Sequence, residues 1–538
     1  MRWLRTRLLG PRSEDGIALI TVILVGSVML ALVVTTLSYG VSSERLARHD
    51  QDWQASLSAA EAGIDDYVTR MNNNSTYTQW SNSAGRPDTA NPAMNGTFVD
   101  LPGAANEGTF RYTIDSSRFT IDGTIAITST GRVRNVNRSV KATLRRRTFL
   151  DYLYYTEYET KDPDAYGSGD SLTPAQAQTY CGERHYYDSP APISACTDIQ
   201  FGPNDVIRGP LHSNDAMRMA GGSRFQGAVT TSWAGTGNPV RRYIPTSSSS
   251  PIFAEAGDPK YAEPITMPPS NSALKADATS GGCLFTGPTK VVVNANATMT
   301  VTSPLTKSTR CFTGAMGTTA RTISLPANGV LHVQSVPTSS SDPNYWGTTS
   351  CPGTAVGGAT NRHVLNQPIT GDITTYGCRD GDLFIEGTLD GQMTASADNN
   401  VIITWDLVYE DGVTGDDLLG LVANGSVYIY HPVDSNGNNL SIPGRTSTRP
   451  RFTNATVDAA ILTLNHSFTV QNYRRGAPLG NLTIRGSIAQ LYRGVVALSG
   501  QTGFEKDYIY DARLAYMAPP RFIDPVKSFW RIVSWEER

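Results

Sequence analysis

The sequence predicts a mainly β protein behind one long N-terminal α-helix: a helix with a small antiparallel sheet, then a large stacked β-domain. Three observations predict it. From Gly16 to Ser43 there is no Asp, Glu, Lys, Arg or His. Directly after that run, apolar residues recur at helical spacing. The remainder is turn-rich, with 49 Gly, 31 Pro and only 17% charged residues in 538, against an average near 25%. That composition suits many short strands and excludes a charge-rich disordered chain or long coiled coil. A net charge of −3 excludes a broadly basic nucleic-acid binder, which needs excess Lys and Arg to displace phosphate counterions.

The N-terminal elements follow in order. Residues 1–16 are basic, with Arg2, Arg5, Arg7 and Arg12 against Glu14 and Asp15. Ile17–Leu37 reaches the roughly 20 apolar residues that cross a bilayer. The excess of Arg before it places the N-terminus in the cytoplasm and the bulk of the chain outside. A cleaved signal sequence ending at Ser38-Tyr39-Gly40 is a competing reading, but its apolar region is normally shorter. Leu46, Trp53, Leu57, Ala60, Ile64, Tyr67 and Met71 then fall on one helical face. No proline interrupts Ile17 to Met71, so one rod of about 80 Å is expected, ending near Asn72-Asn73-Asn74.

Gly16-Ile17-Ala18-Leu19-Ile20 and Ser58-Ala59-Ala60-Glu61-Ala62-Gly63-Ile64-Asp65 resemble the N-terminal region of type IV pilus assembly proteins of the PilX type. The resemblance implies a prepilin-type leader over 1–16, cut between Gly16 and Ile17 by a prepilin peptidase on the cytoplasmic side. It implies an assembly helix over 17–74, with Thr21, Glu61 and Gly63 as its marked positions, and other pilins or minor pilins as partners. Major pilins carry Glu five residues after the cut; here that residue is Thr21. An apolar helix can exchange lipid for copies of itself at little solvation cost. The alternative is an anchored cell-envelope protein with an uncleaved helix.

Over 75–148 the alternating runs Thr109–Ile114, Phe119–Ile121, Thr124–Thr128 and Ser139–Leu144 read as strands, with a tight turn at Thr130-Gly131-Arg132. They form the nearest apolar face for the helix stripe. Beyond them we expect a disulfide-stapled β-rich region over 149–380 and a C-terminal stacked region over 381–538.

A short motif recurs there: Ile207-Arg208-Gly209-Pro210-Leu211, Phe225-Gln226-Gly227-Ala228-Val229, Ile385-Glu386-Gly387-Thr388-Leu389 and Ile484-Arg485-Gly486-Ser487-Ile488. Glycine at a fixed place lets the chain bend between two short strands facing one core. An irregular parallel β-helix is favoured, with a Greek-key sandwich as the alternative. Gly209-Pro210-Leu211-His212-Ser213-Asn214-Asp215 and Asp507-Tyr508-Ile509-Tyr510-Asp511-Ala512-Arg513-Leu514 resemble a poorly characterised bacterial domain often found behind PilX-type N-termini.

Cys181, Cys196, Cys283, Cys311, Cys351 and Cys378 lack zinc spacing and, outside the cell, are expected to oxidise. Neighbour pairing is the simplest scheme, and a loop of about 15 residues is worth about 3 kcal/mol. Gly169-Asp170-Ser171-Leu172 copies a serine-hydrolase signature, but His431 and His466 lack a nearby upstream carboxylate, so a turn is expected. Asp162, Asp164 and Asp170, or Asp434, Asn436 and Asn438, lack the closing Glu of a calcium loop. His212 is expected to satisfy a turning backbone. We therefore expect no cofactor, no metal and no catalysis, and a membrane-inserted protein acting by assembly and by surface glycan or host contact. The rival from another class is an anchored polysaccharide-active enzyme.

Overall fold

The computed structural model describes residues 15–526 and 530–538, apart from 84, 120–123, 168, 255–256, 348–376, 435 and 499. It forms two compact units: one takes the chain up to Arg146 together with Trp530–Arg538, the other takes Arg147–Phe529. Neither unit has a boundary near residue 380, and the last nine residues belong with the helix.

In the first unit, Asp15–Asn73 is one helix of 59 residues. Its C-terminal part packs on a five-stranded antiparallel sheet in the order Val99–Leu101, Ala104–Asp115, Thr124–Val133, Val136–Arg146 and Trp530–Glu537. Ala60, Ile64, Tyr67 and Met71 are buried against Phe110, Tyr112, Ile127, Val140 and Leu144. Burial alternates residue by residue along Thr124–Val133, as a sheet covered on one face requires.

Two sequence expectations are corrected here, and one strand is new. The turn expected at Thr130-Gly131-Arg132 lies instead between Val133 and Val136, where Arg134 takes a positive φ of 50°. Gly131 is inside a strand because the helix crosses it: a Cβ there would meet the Ser56 carbonyl oxygen at 2.1 Å. Phe119 belongs to no strand and packs its ring 6.1 Å from Trp530; Thr120 and Ile121 lie outside the described residues. The strand Trp530–Glu537 was not expected. Arg138 ties it to the helix, donating from Nε to Glu537 Oε1 at 2.7 Å and from Nη1 to the Trp53 carbonyl at 3.2 Å.

The second unit is built on parallel ladders. One runs through Ile252–Phe253, Arg224–Phe225, Val206–Arg208, Thr502–Tyr510 and the first halves of Pro478–Arg493 and Ala455–Thr463. A second runs through Lys260–Tyr261, Val229–Thr231, Leu211–Ser213, Tyr154–Lys161 and the second halves of those two long strands. It continues through Leu418–Ala423, Gln392–Ala397, Val330–Gln334 and Cys283–Thr286. A third joins Thr289–Asn294, Leu383–Leu389, Val401–Tyr409, Val427–Ile429 and Phe468–Val470. A Greek-key sandwich, being antiparallel, does not give these pairings. Antiparallel pairing within the unit includes the hairpins at 289–324 and 497–510.

The order along the stack is not the order along the chain. The chain enters mid-stack at Tyr154, runs one way to Tyr261, passes through the helix Ser272–Ser280 and restarts at Cys283. It then returns strand by strand until Asp507–Ile509 pairs with Val206–Arg208. Two segments 301 residues apart in sequence (507 − 206) thus take adjoining places in the ladders.

The repeated motif joins two short strands in its first two copies and lies inside one continuous strand in the other two. Ile207, Leu211, Phe225, Val229, Ile385, Leu389, Ile484 and Ile488 all belong to one buried core. A Cβ on Gly227 would meet the Gly209 carbonyl carbon at 2.3 Å, and one on Gly486 would meet the Ala459 carbonyl oxygen at 1.9 Å. Here close approach between successive strands demands glycine.

Candidate functional site

The first candidate is the helix itself. Its 18-residue window of highest mean hydropathy, 2.7, has none of its residues buried, and the helix is long and apolar enough to cross a membrane. Leu19, Leu30 and Leu37 are 63–69% exposed. Gly16 and Ile17 lie in its first turn. Thr21 Oγ1 donates to the Ala18 carbonyl at 2.9 Å, and Glu61 is exposed. Gly63 faces the chain's own sheet: a Cβ there would meet Ser129 Oγ at 2.3 Å and Phe110 at 2.9 Å. The predicted apolar face is therefore split. Ala60, Ile64, Tyr67 and Met71 are covered, whereas Leu46 and Trp53 remain 65% and 43% exposed.

The motifs with possible chemistry make the following contacts. Asp170, in the hydrolase-like signature, holds Lys161 Nζ at 2.8 Å and Arg474 Nη2 at 2.5 Å. Burial alone would raise its carboxyl, but Arg474 and Lys161 outweigh it and hold the group at about 2. Ser171 is exposed, and among the described residues no hydrogen bond joins it to a histidine. Asp434 Oδ1 accepts the amides of Asn436 and Asn438, each at 2.8 Å, an Asx turn. Among the described residues, no group of three or more His, Cys, Asp or Glu is placed to hold a metal. Cys181 bonds to Cys196 and Cys283 to Cys311; Cys378 is also disulfide-bonded, and Cys351 lies outside the described residues.

The segment from Asp507 pairs with Val206–Arg208, just before Gly209, whereas Leu211–Ser213 pairs with Tyr154–Thr156 and Val229–Thr231. His212 is fully buried between the rings of Tyr152 and Tyr155. Its Nδ1 meets Thr230 Oγ1 at 2.9 Å and its Nε2 meets Asn214 Oδ1 at 3.0 Å. Burial pulls its pKa down to about 4, so it is neutral at pH 7. Asp215 accepts the amides of Tyr186, Ala216 and Glu159, yet burial pushes its carboxyl up to about 7.

A Ser-His-Asp arrangement escaped sequence reading. His332 Nδ1 lies 2.8 Å from Ser396 Oγ, and His332 Nε2 lies 2.9 Å from Asp398 Oδ1. His332 and Ser396 face each other across paired strands and are fully buried, so the arrangement pins two strands together as His212 and Thr230 do. No local signal reveals it, since 64 residues separate His332 from Ser396.

One cavity gathers polar groups from distant strands. Its volume is about 430 Å³, within the range of ligand sites. His466 stands in it against Asp162, Nδ1 to Oδ2 at 3.1 Å, with Asp164 at 3.6 Å from Nε2. The carboxylate missing upstream of His466 in sequence is thus supplied from 304 residues away. Burial opposes protonation of His466, but the two acids outweigh it and raise its pKa. Arg493, 1% exposed, also lines the cavity; its Nη1 donates to Glu159 Oε2 at 2.6 Å, while its buried Nη2 has no hydrogen-bond partner among the described residues.

No family model matches the chain, and no curated protein matches it. Among solved structures, it is similar to the competence-associated pilin ComZ from Thermus thermophilus, at 13% identity over 91% of this chain and 98% of that chain, with a TM-score of 0.27.

Proposed function

We propose that this chain is a membrane-inserted, pilin-like component of a type IV pilus or related filament. The helix is cut after Gly16 by a prepilin peptidase, leaving Ile17 as the mature N-terminus. It then sits in the bilayer or packs among the helices of other pilins, with the N-terminus on the cytoplasmic side and the two compact units displayed outside. The protein works there by assembly and surface contact rather than by catalysis. One observation carries the reading: a single helix exposes apolar side chains over its first half and buries them on a sheet over its second. An exposed apolar surface of that extent demands a covering phase, either lipid or another helix. The PilX-type pattern around Gly16 and Ser58–Asp65 supports the filament among the possible settings.

Mass spectrometry of the native N-terminus tests it. The expected product begins at Ile17. A chain that begins near residue 41, or retains Met1, would place the protein among exported or simply anchored proteins instead.

A further inference from the structure

We infer that the cavity beside His466 is a binding site for a neutral, hydroxyl-rich ligand of sugar size. This rests on the surface-contact reading above and deepens it by naming the ligand class. The argument begins with charge. The cavity is lined by Lys161 and Arg493 on one side of the balance and Asp162 and Asp164 on the other. Lys161 is already held by Asp170 and Arg493 by Glu159. An anion would meet the two aspartates of the lining, which have only His466 between them as an ionic partner among the described residues, and a cation finds no cluster of three ligating side chains among the described residues. A neutral ligand bearing many donors and acceptors meets neither obstacle.

The geometry supplies what such a ligand needs. A volume of about 430 Å³ accommodates one or two pyranose rings. Tyr428, half-buried in the lining, offers an aromatic face to the C–H side of a ring, and the exposed Asp164 offers a carboxylate to paired hydroxyls. Arg493 Nη2 is a buried donor with no hydrogen-bond partner among the described residues, on a guanidinium that stacks 3.7 Å from the Phe201 ring centroid. Such an atom costs on the order of 1–3 kcal/mol unless something accepts from it, and a ligand hydroxyl or ring oxygen would do so. Strands far apart in sequence, around 161–174, 399–400, 426–428, 466–473 and 493–495, converge to build this lining.

The test uses the full chain in detergent micelles, with methyl β-glucopyranoside, methyl β-galactopyranoside and methyl N-acetyl-β-glucosaminide as neutral probes and inorganic phosphate as the anionic one. Saturation-transfer NMR and calorimetric titration should detect at least one neutral glycoside with a Kd on the order of 1 mM, a typical strength for a single small contact. Phosphate should not compete. Tyr428→Leu and Asp164→Ala should each weaken binding about tenfold or more while the melting temperature stays unchanged. Because Asp164 is exposed, its variant keeps the test valid if Tyr428→Leu fails to fold. The inference is overturned if no neutral glycoside binds, if phosphate displaces it, or if both folded variants bind as the parent does. A chain that begins at Met1 yet binds a glycoside would sink only the filament reading, whereas one that begins at Ile17 and binds none would sink only this site.

Discussion

The N-terminal helix and the stacked β unit handle opposite kinds of surface. The helix holds apolar side chains in the open: Leu30 is 66% exposed and Leu37 69%. The stack holds charged and polar side chains inside: Arg493, Glu159, His332 and Asp382 are at most 3% exposed. Apolar residues left outside require a partner, because none of the other described residues removes them from water. Charged residues taken inside require a partner within the chain, because no solvent reaches them. The difference locates the places where the protein depends on its surroundings, and those where it depends on itself.

The internal dependence should break with the largest effect at Glu159. Its carboxylate takes Arg493 Nη1 at 2.6 Å, with both side chains buried. Glu159→Ala leaves an enclosed guanidinium without its counter-charge, so the second unit should lose about 3–5 kcal/mol, read by urea denaturation of the full chain in detergent. Glu159→Leu combined with Arg493→Met should recover most of that loss, since a buried ion pair often gives way to apolar packing at little cost. A double variant as unstable as the single would mean that the pair does more than neutralise itself.

Two buried groups should show opposite dependences on pH, about 4 kcal/mol at most for Asp382 and about 3 kcal/mol at most for His212. Burial pushes the Asp382 carboxyl up to about 7 from an ordinary value near 4. The folded state therefore keeps a proton that the unfolded chain releases between those values. This contribution is full below about pH 4 and fades as pH rises through 7. His212 is the reverse: its folded pKa near 4 lies below the usual 6.5, so its contribution is full above pH 6.5 and fades as pH falls toward 4. Measured between pH 4 and 7, Asp382→Asn should make stability rise more steeply with pH than in the parent, and His212→Gln should make it rise less steeply. Parallel profiles for parent and both variants would show that neither group is as enclosed as the geometry implies.

Legibility in the sequence follows the range over which each feature is fixed. The helical face from Ala60 to Met71 and the alternation along Thr124–Thr128 are local periodicities, and the folded chain keeps both. The glycine motif was legible because each copy carries its core residues and its glycine within five residues. Gly131 misled because its glycine answers to the helix backbone crossing it, not to a turn. The strand Trp530–Glu537 left no mark, since its partner Val136–Arg146 lies nearly 400 residues earlier. The cavity was equally hidden: Asp162 and His466 become neighbours only when the returning half of the stack closes on the strand where it began.

The smallest expected effect is the most direct measure of the comparison. Ile64 is 1% exposed against the sheet and Leu30 is 66% exposed, yet both are aliphatic residues on the same helix. Ile64→Ala removes packed methylene groups and leaves a cavity, so the first unit should lose about 2–5 kcal/mol. Leu30→Ala should change the thermal midpoint in detergent by no more than about 0.5 kcal/mol equivalent, because detergent covers residue 30 whether or not the unit behind it is folded. An effect at Leu30 as large as that at Ile64 would mean that protein, not a lipid-like phase, already covers this part of the helix in the solubilised chain. The same substitution scored by assembly then separates the two coverings: lipid tolerates the lost methylenes, while a helix packed beside Leu30 registers each of them.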